Sequence, residues 1–238
     1  MPRRRRYEYL LSALPGLEAL GAAVPLGKQE LLERIVETQG PVATVSALFL
    51  SDDLVQREAL LAGEITAEQA DLTILPTPGA DDEHDLPAPL RPEESMESSD
   101  NARVAVDALW HRYFRYAALV ARQQSSRFLR AWVGYEVALR NALVVARAQT
   151  LDLDPTTYLV TPDLADRDVD VSGPLAAWSA APDPLAALEV VDKARWEWLT
   201  EHERWFSFQA EEIEAYAAKL MLLQRWRRLA TDTHVAAS

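Results

Sequence analysis

Apolar residues recur three and four positions apart along much of the chain, which is the spacing of one face of an α-helix. Residues 28–38 show this pattern clearly, with apolar side chains on one side and mostly charged side chains on the other. Residues 7–14 are the best strand candidate, although a first helical turn fits them equally well. Further short helices are predicted over residues 42–50, 52–61 and 66–72.

The longest periodic stretch covers residues 101–149 and predicts a helical hairpin. One unbroken helix of that length would span about 70 Å, so we expect a break at the polar stretch around Ser125. In the second half, large apolar residues follow spacings of four, three, four and four, which defines one buried face: Phe128, Trp132, Tyr135, Leu139 and Leu143.

Two more helices are predicted beyond a loop-rich segment at residues 150–182. Asp183 is a favourable N-cap, and Pro184 follows it at the first helical position, where proline is common. The residues of this helix that should face inward are Leu185, Leu188, Val191 and Trp196. The last helix is expected over residues 210–230, and three arginines would complement the negative end of its dipole: Arg225, Arg227 and Arg228.

Residues 76–100 have a different composition, with five prolines, many acidic residues and almost no large apolar ones. Such a segment buries too little apolar surface to offset the entropy of ordering it. We therefore predict a flexible acidic linker here. It would join an N-terminal helical lobe at residues 1–75 to a C-terminal helical lobe at residues 101–231, which a frayed tail at residues 232–238 follows.

Composition excludes several classes of protein. The 238 residues carry 24 lysines and arginines against 37 acidic residues, which argues against a general nucleic-acid binder. Cysteine is absent, so disulfides, thiolate catalysis and cysteine-bound zinc are excluded. Residues 51–100 are acidic, 101–150 basic and 151–200 acidic again. This alternation suggests segments that meet each other or a partner through complementary charge, although drift in the composition of solvated faces explains it as well.

The sequence contains no recognised catalytic or cofactor-binding motif. The eight glycines are too scattered to form a phosphate-binding loop, so neither common device for binding ATP or a dinucleotide is expected. No run of apolar residues is long enough to span a bilayer. The four histidines share no metal-ligand spacing: His84, His111, His202 and His234. We expect no catalytic residue, no metal and no cofactor.

Two features of the predicted helices indicate specific contacts. Glu136 and Arg140 stand four residues apart, where they would form an ion pair that either clamps internal structure, together with Asn141, or marks a contact site. Trp196 and Trp198 lie about 200° apart around their helix and cannot both face one core. One of these two tryptophans must therefore pack against another element, lie at the surface or meet a partner.

Three stretches of the chain resemble an uncharacterised bacterial family whose members accompany the subunits of V/A-type ATPases and look like shortened forms of the V-type ATPase C-subunit. The first is YEYLLSALP at residues 7–15, and the second is FLRAWVGYEVALRN at residues 128–141. The third is the most specific and consists of WEWL, FSF, EAYAAKL and RW, at residues 196–199, 206–208, 214–220 and 225–226.

This resemblance implies an all-α, multi-helix fold of the V-type ATPase C-subunit kind in two lobes. It also implies a non-catalytic component that couples the central rotor stalk of a V/A-type ATPase to its membrane ring. Such a protein is cytoplasmic and peripheral to the membrane through the complex, takes part in ion or proton transport, does not insert into the membrane and binds no cofactor. Its candidate interaction residues here are Trp132, Glu136, Arg140, Asn141, Trp198, Tyr216, Lys219 and Trp226.

Two other interpretations of the sequence remain open. The chain could be a free-standing helical scaffold or assembly factor that shares these motifs but never joins the rotor. It could instead be a small-molecule enzyme with a site between the lobes that uses Glu136 and Arg140. A deep closed pocket lined by those two residues and a histidine would favour the enzyme.

Overall fold

Helices are the only regular elements among the residues that the computed structural model describes, which are 2–78, 85–92, 102–204 and 206–236. The eight α-helices in these ranges are α1 (Pro2–Ala13), α2 (Lys28–Glu37), α3 (Val42–Leu61), α4 (Ala102–Gln123), α5 (Arg127–Thr150), α6 (Ser172–Ser179), α7 (Pro184–His202) and α8 (Ala210–Ala236). Short 3₁₀ turns occur at Ala88–Leu90, Pro155–Tyr158 and Pro162–Leu164. The all-α prediction is confirmed for this part of the chain. No helix there is long and apolar enough to cross a membrane.

Of the two interpretations of residues 7–14, the helical one is confirmed and the strand is wrong, because this segment lies in and just after α1. Tyr7, Leu10, Leu11 and Leu14 recur at helical spacing and all pack on the core. A strand would have divided them between two faces.

The two most buried helices, α3 and α8, run through the middle of the core. The prediction placed two helices over residues 42–61, but the structure has the single helix α3 there, with buried side chains around its whole circumference. Helix α3 packs against α8 and α4, α5 forms a hairpin with α4, and α7 packs between α6 and α8. One continuous core therefore joins the two predicted lobes.

Local capping explains where two of the predicted helices begin. Ser125 adopts a left-handed conformation with φ 54°, and the side chain of Ser126 accepts a hydrogen bond from the Leu129 N–H at 2.9 Å. Asp183 caps α7 by accepting from the Ala186 N–H at 2.8 Å, with Pro184 in the first turn. The predicted hairpin break and the predicted start of α7 are both confirmed.

Part of the predicted flexible linker is packed against the core. Leu86 and Leu90 are buried, and Arg112 of α4 donates from Nε to the Leu90 carbonyl oxygen at 2.7 Å. The average composition of the segment concealed these two leucines. The rest of the linker, at residues 79–84 and 93–100, lies outside the described residues. The α8 backbone continues through Ala236, into the segment for which a frayed tail is predicted, and residues 237–238 lie outside the described part.

A fully buried ammonium group ties four parts of the chain together. Lys28, the first residue of α2, donates to Asp52 of α3 at 2.7 Å and to the Asp71 carbonyl oxygen at 2.8 Å, and it lies 3.4 Å from an oxygen of Asp53. Arg228 of α8 contacts the other oxygen of Asp52 at 2.5 Å. We refer to these residues and a neighbouring glutamine as the Lys28 network: Lys28, Asp52, Asp53, Gln56, Asp71 and Arg228.

The acceptors of this network are themselves held in place. The second oxygen of Asp53 accepts three consecutive backbone N–H groups, from Thr73, Ile74 and Leu75. Gln56 exchanges two hydrogen bonds with the Asp71 backbone. Burial alone would raise the pKa of Asp52, but the charges of Lys28 and Arg228 outweigh burial and hold that pKa below its ordinary value.

A second buried carboxylate joins three helices. Glu214 of α8 accepts hydrogen bonds at 2.7 Å from the hydroxyls of Thr44 in α3 and Ser126 at the start of α5. Burial raises the pKa of Glu214 above its ordinary value, and the two hydroxyl donors offset this only in part. The folded protein therefore holds a proton at Glu214 more tightly than the unfolded chain does.

Replacing Lys28 by methionine should cost about 3–5 kcal/mol in the free energy of unfolding, because Asp52 and Asp53 would lose a buried counter-charge. The matched control is Arg34→Gln on the same helix, which breaks the exposed Arg34–Glu30 pair and should cost less than about 0.5 kcal/mol. Urea denaturation of both variants provides the comparison. Equal losses would contradict a structural role for the buried ammonium.

The raised pKa of Glu214 also predicts how stability depends on pH. As pH rises from about 4.5 toward neutrality, Glu214 ionises in the unfolded chain before it ionises in the fold, and this lowers the free energy of unfolding. Glu214→Gln removes that contribution, so the variant should gain stability relative to the native protein across this window. Thermal unfolding at several pH values measures the difference. Parallel pH profiles would refute the assignment.

Candidate functional site

A cleft of about 380 Å³ lies between α3, α4, α5, α6, α7 and α8. Its walls are mostly aromatic and aliphatic, but four arginine side chains also line it. We call it the arginine cleft and define it by six residues of its lining: Trp110, Arg140, Arg147, Trp178, Arg195 and Arg225. Leu188 of α7, predicted to face inward, is 40% exposed and belongs to this lining. The apolar wall therefore extends outward to solvent.

The inner part of the cleft contains a chain of ion pairs. Arg195 of α7 binds Glu136 of α5 with two hydrogen bonds, at 2.7 Å from Nε and 2.9 Å from Nη2, and it also donates to Asp192 at 2.9 Å. The other oxygen of Asp192 lies 3.2 Å from Nε of Arg225 in α8. We call these four residues the Arg195 network. It joins α5, α7 and α8 through charges that are wholly or largely buried.

Electrostatics keep the Arg195 guanidinium ionised. Burial alone would lower the pKa of the Arg195 guanidinium, but Glu136 and Asp192 outweigh it and raise that pKa above its ordinary value. Arg225 also helps to lower the pKa of Asp52 in the Lys28 network. The two networks therefore meet along the cleft, where Asp52 and Arg225 both contribute to the lining.

The predicted ion pair between Glu136 and Arg140 is wrong. Glu136 binds Arg195, whereas Arg140 lies 3.6 Å from Asp107 and over the ring of Trp110. The planar guanidinium of Arg195 meets the carboxylate of Glu136 with two parallel bonds, an arrangement that outcompetes a single contact along one helix. Helical spacing could not identify Arg195, which lies 59 positions away in the sequence.

Two cleft arginines have unused hydrogen-bonding capacity. Nε of Arg140 is buried and has no hydrogen-bond partner within the described ranges. Burial lowers the pKa of this guanidinium even though Asp107 and Glu58 act in the opposite direction. Arg147 is exposed and lies over the ring of Trp178 at 5.9 Å. Among the described residues, no carboxylate lies within ion-pairing distance of Arg147.

Of the residues predicted to make interactions, Trp132, Glu136 and Arg140 line the cleft. Trp198 packs behind it, with its ring 5.4 Å from that of Trp132 and stacked on Tyr135 at 5.0 Å. Both tryptophans are buried. As expected from their angular separation, Trp198 and Trp196 face different neighbours, and the ammonium of Lys219 lies 5.0 Å above the Trp196 ring.

The remaining predicted residues lie outside the cleft. Asn141 donates to the carbonyl oxygen of Val160 and accepts from its N–H, both at 3.0 Å, so it clamps the loop after α5. The Tyr216 hydroxyl donates to the Pro15 carbonyl oxygen at 2.9 Å.

Lys219 and Trp226 of α8 also make internal contacts. Lys219 pairs with Glu203 at 2.5 Å. Trp226 packs against Gly21, where an added Cβ would lie 3.3 Å from the indole nitrogen and where φ is +94°. Each of these α8 side chains therefore secures a loop or a neighbouring helix.

The cleft offers binding groups rather than a free catalytic base. Glu136 is occupied by Arg195, and no histidine is present in the lining of the described cleft. The Tyr113 and Ser51 hydroxyls donate to the backbone carbonyl oxygens of Ala47 and Leu48. The described residues also contain no group of three or more histidine, aspartate or glutamate side chains placed to hold a metal ion.

A second surface feature is the turn between α7 and α8. Phe206 and Phe208 both have positive φ, 59° and 51°, a conformation that costs non-glycine residues of the order of 1 kcal/mol or more each. The carboxylate of Glu212 accepts the N–H groups of both phenylalanines and the hydroxyl of Ser207. The turn thus holds Phe206 in solvent, 79% exposed. Sequence reasoning missed this feature, which only the FSF triplet could have indicated.

Comparisons of the chain with protein families, with curated proteins and with solved structures found no match. The resemblance to an ATPase-associated family therefore rests on the sequence motifs alone. The roles of those motifs in this chain follow from the contacts that their residues make.

A double-mutant cycle should separate the two partners considered for Glu136. We expect a coupling energy of about 2 kcal/mol or more between Glu136→Gln and Arg195→Gln, because both partners are largely buried. The coupling of Glu136→Gln with Arg140→Gln should stay below about 0.5 kcal/mol. Urea denaturation of the single and double variants gives both values. The reverse order would show that the helical pair dominates after all.

Proposed function

We propose that this protein is a non-catalytic component of a V/A-type ATPase, resembling the V-type ATPase C-subunit, that couples the central rotor stalk to the membrane ring. The observation that carries the proposal is where the resembling residues lie. The motifs at residues 128–141 and 196–199 fall on α5 and α7, and those at residues 214–220 and 225–226 fall on α8. The three helices are joined by the Trp132–Trp198 contact and the Arg195 network. If these motifs have the same structural role here as in the family, they should pack together, and the contacts between α5, α7 and α8 meet that requirement.

Stiffness is the physical requirement of such a coupling. Transmitted torque tends to slide helices past one another, and a fixed ion pair between helices opposes sliding because the charges would separate inside the protein. The Lys28 network links α2 and α3 to α8, and the Arg195 network links α5 and α7 to α8. Helix α8 would therefore be the element that connects both networks and transmits the torque between them.

In this proposal the protein meets its partner through the turn that carries Phe206. Exposed aromatic side chains are frequent anchors of protein interfaces, and a strained backbone is retained most often where it serves function. The eight candidate interaction residues are mostly turned inward, so we assign the contact to Phe206 of the FSF motif instead. The protein would be held at the cytoplasmic side of the membrane by its complex.

Co-purification from native membranes tests the proposal. The tagged chain should recover the stalk subunits of the ATPase, and the isolated chain should hydrolyse no ATP. If no component of the ATPase is recovered, or if cells lacking the chain assemble a fully active ATPase, the rotor role is refuted. Recovery of assembly intermediates without the complete complex would identify an assembly factor instead.

The contribution of the turn is tested with Phe206→Ser in the same experiment. Recovery of the stalk subunits should fall at least tenfold, because an interface anchor is commonly worth about 2 kcal/mol or more, about 30-fold in affinity. Val36→Ser on α2 is the matched control, since Val36 is also exposed but lies on a helix remote in sequence from the turn. Equal recovery with Phe206→Ser and with the native chain would remove this turn from the proposed contact.

A further inference from the structure

The arginine cleft contains positive charge that the protein does not fully use. Arg195 and Arg225 are committed to Glu136 and Asp192. Arg147 lies near no carboxylate of the described residues. Arg140 has one ion pair, 3.6 Å from Asp107, and its Nε makes no hydrogen bond within the described part of the chain. The Arg140 side chain is 29% exposed and lines the cleft, so an acceptor in the cleft can lie beside its guanidinium.

These two arginines are seven residues apart on α5, about two helical turns, and therefore lie on the same side of the helix. Each guanidinium lies over an indole ring, Arg140 over Trp110 at 4.9 Å and Arg147 over Trp178 at 5.9 Å. The aliphatic side chains Leu143 and Val144, between them in sequence, line the same cleft. The cleft therefore offers two cationic groups with an apolar surface between them.

The charges around the cleft select the class of ligand. A cation would find no free carboxylate in the wall, because Asp52 is bound by Lys28 and Arg228, and Glu136 is bound by Arg195. Glu58, behind Trp110, accepts the indole N–H of that tryptophan at 3.0 Å. A neutral apolar molecule would cover the walls but place no counter-charge beside Arg147, which lies near no carboxylate of the described residues.

We propose that the arginine cleft binds a small organic anion, with a carboxylate, sulfonate or phosphate group accepting from Arg140 and a flat apolar body against Leu143, Val144 and Leu188. Arg147 and Trp178 cover the outer end of the bound molecule. A volume of about 380 Å³ falls in the range of small-molecule sites, about 300–1,000 Å³. The proposal does not depend on membership of an ATPase, since the cleft lies within one chain.

The experiment uses a fluorescent pair of probes and the full chain. Anilinonaphthalene sulfonate has a flat apolar body with one sulfonate group, and phenylnaphthylamine has a closely similar body without it. The sulfonate should bind saturably, with one molecule per chain, and at least tenfold more tightly than the neutral amine. Equal affinity for the two probes would overturn the proposal, because it would show that the cleft selects no anion.

Substitutions locate the bound anion. Arg147→Gln should weaken binding of the sulfonate about five- to tenfold and leave binding of the neutral amine unchanged, which corresponds to losing one contact to a charged group. Arg140→Gln should weaken it more, provided that circular dichroism shows a native helix content. Arg147 is exposed and lies near no carboxylate among the described residues, so the first variant should fold even if the second does not.

Arg130→Gln is the matched control, because Arg130 is an exposed arginine of the same helix that does not line the cleft. It should bind the sulfonate as the native chain does. If Arg130→Gln and Arg147→Gln weaken binding equally, the sulfonate binds the basic surface of α5 and the proposal fails. No effect of Arg147→Gln would likewise overturn it. Neither failure would bear on the recovery of ATPase components, which tests the proposed coupling role separately.

Discussion

A buried ammonium group is stable only where several acceptors surround it, and Lys28 imposes this condition on much of the fold. Its acceptors come from α3 and from the segment around Asp71, and one of them, Asp52, is shared with Arg228 of α8. Helix α2, helix α3 and the end of α8 therefore cannot shift independently. The surrounding apolar core fixes how closely these helices pack, but the charges fix their register, because an apolar contact tolerates sliding and a buried ion pair does not.

The Arg195 network repeats this arrangement beside the Lys28 network, because Arg225 lies three residues before Arg228 on α8. The arginine cleft lies where the two networks meet, and Asp52 and Arg225 both line its wall. A cleft between helices whose register is fixed by ion pairs is preorganised, because Arg195 and Arg225 are held by Glu136 and Asp192 before any ligand binds. Stiffness and binding are thus compatible in this chain, because the ion pairs that would resist torque also fix the helices that form the cleft, including α5, which carries Arg140 and Arg147.

Helix caps, which depend on residues a few positions apart, could be predicted from the sequence, whereas buried ion pairs between residues far apart in the chain could not. Asp183 caps α7 through an N–H group three residues away, so this cap follows from residue type and position, and the polar stretch around Ser125 likewise indicates the break before α5. The buried role of Lys28 depends on aspartates more than twenty positions away, and the sole signal was the pair of aspartates inside the apolar stretch of α3. Glu136 shows the same limit: helical spacing offered a partner four residues on, while the fold supplied Arg195 with a better geometry. The candidate cleft arises from six helices and has no signature in any one of them.

Native-state hydrogen exchange of the backbone amides, measured at low urea concentrations, tests the central claim that α8 joins the helices into one rigid unit. If it does, the slowest amides of α3, α5 and α8 should open with one common free energy, equal to that of global unfolding. Exchange of α5 and α7 through an opening that leaves α2 and α3 protected would contradict the account, because it would show two bodies that move separately.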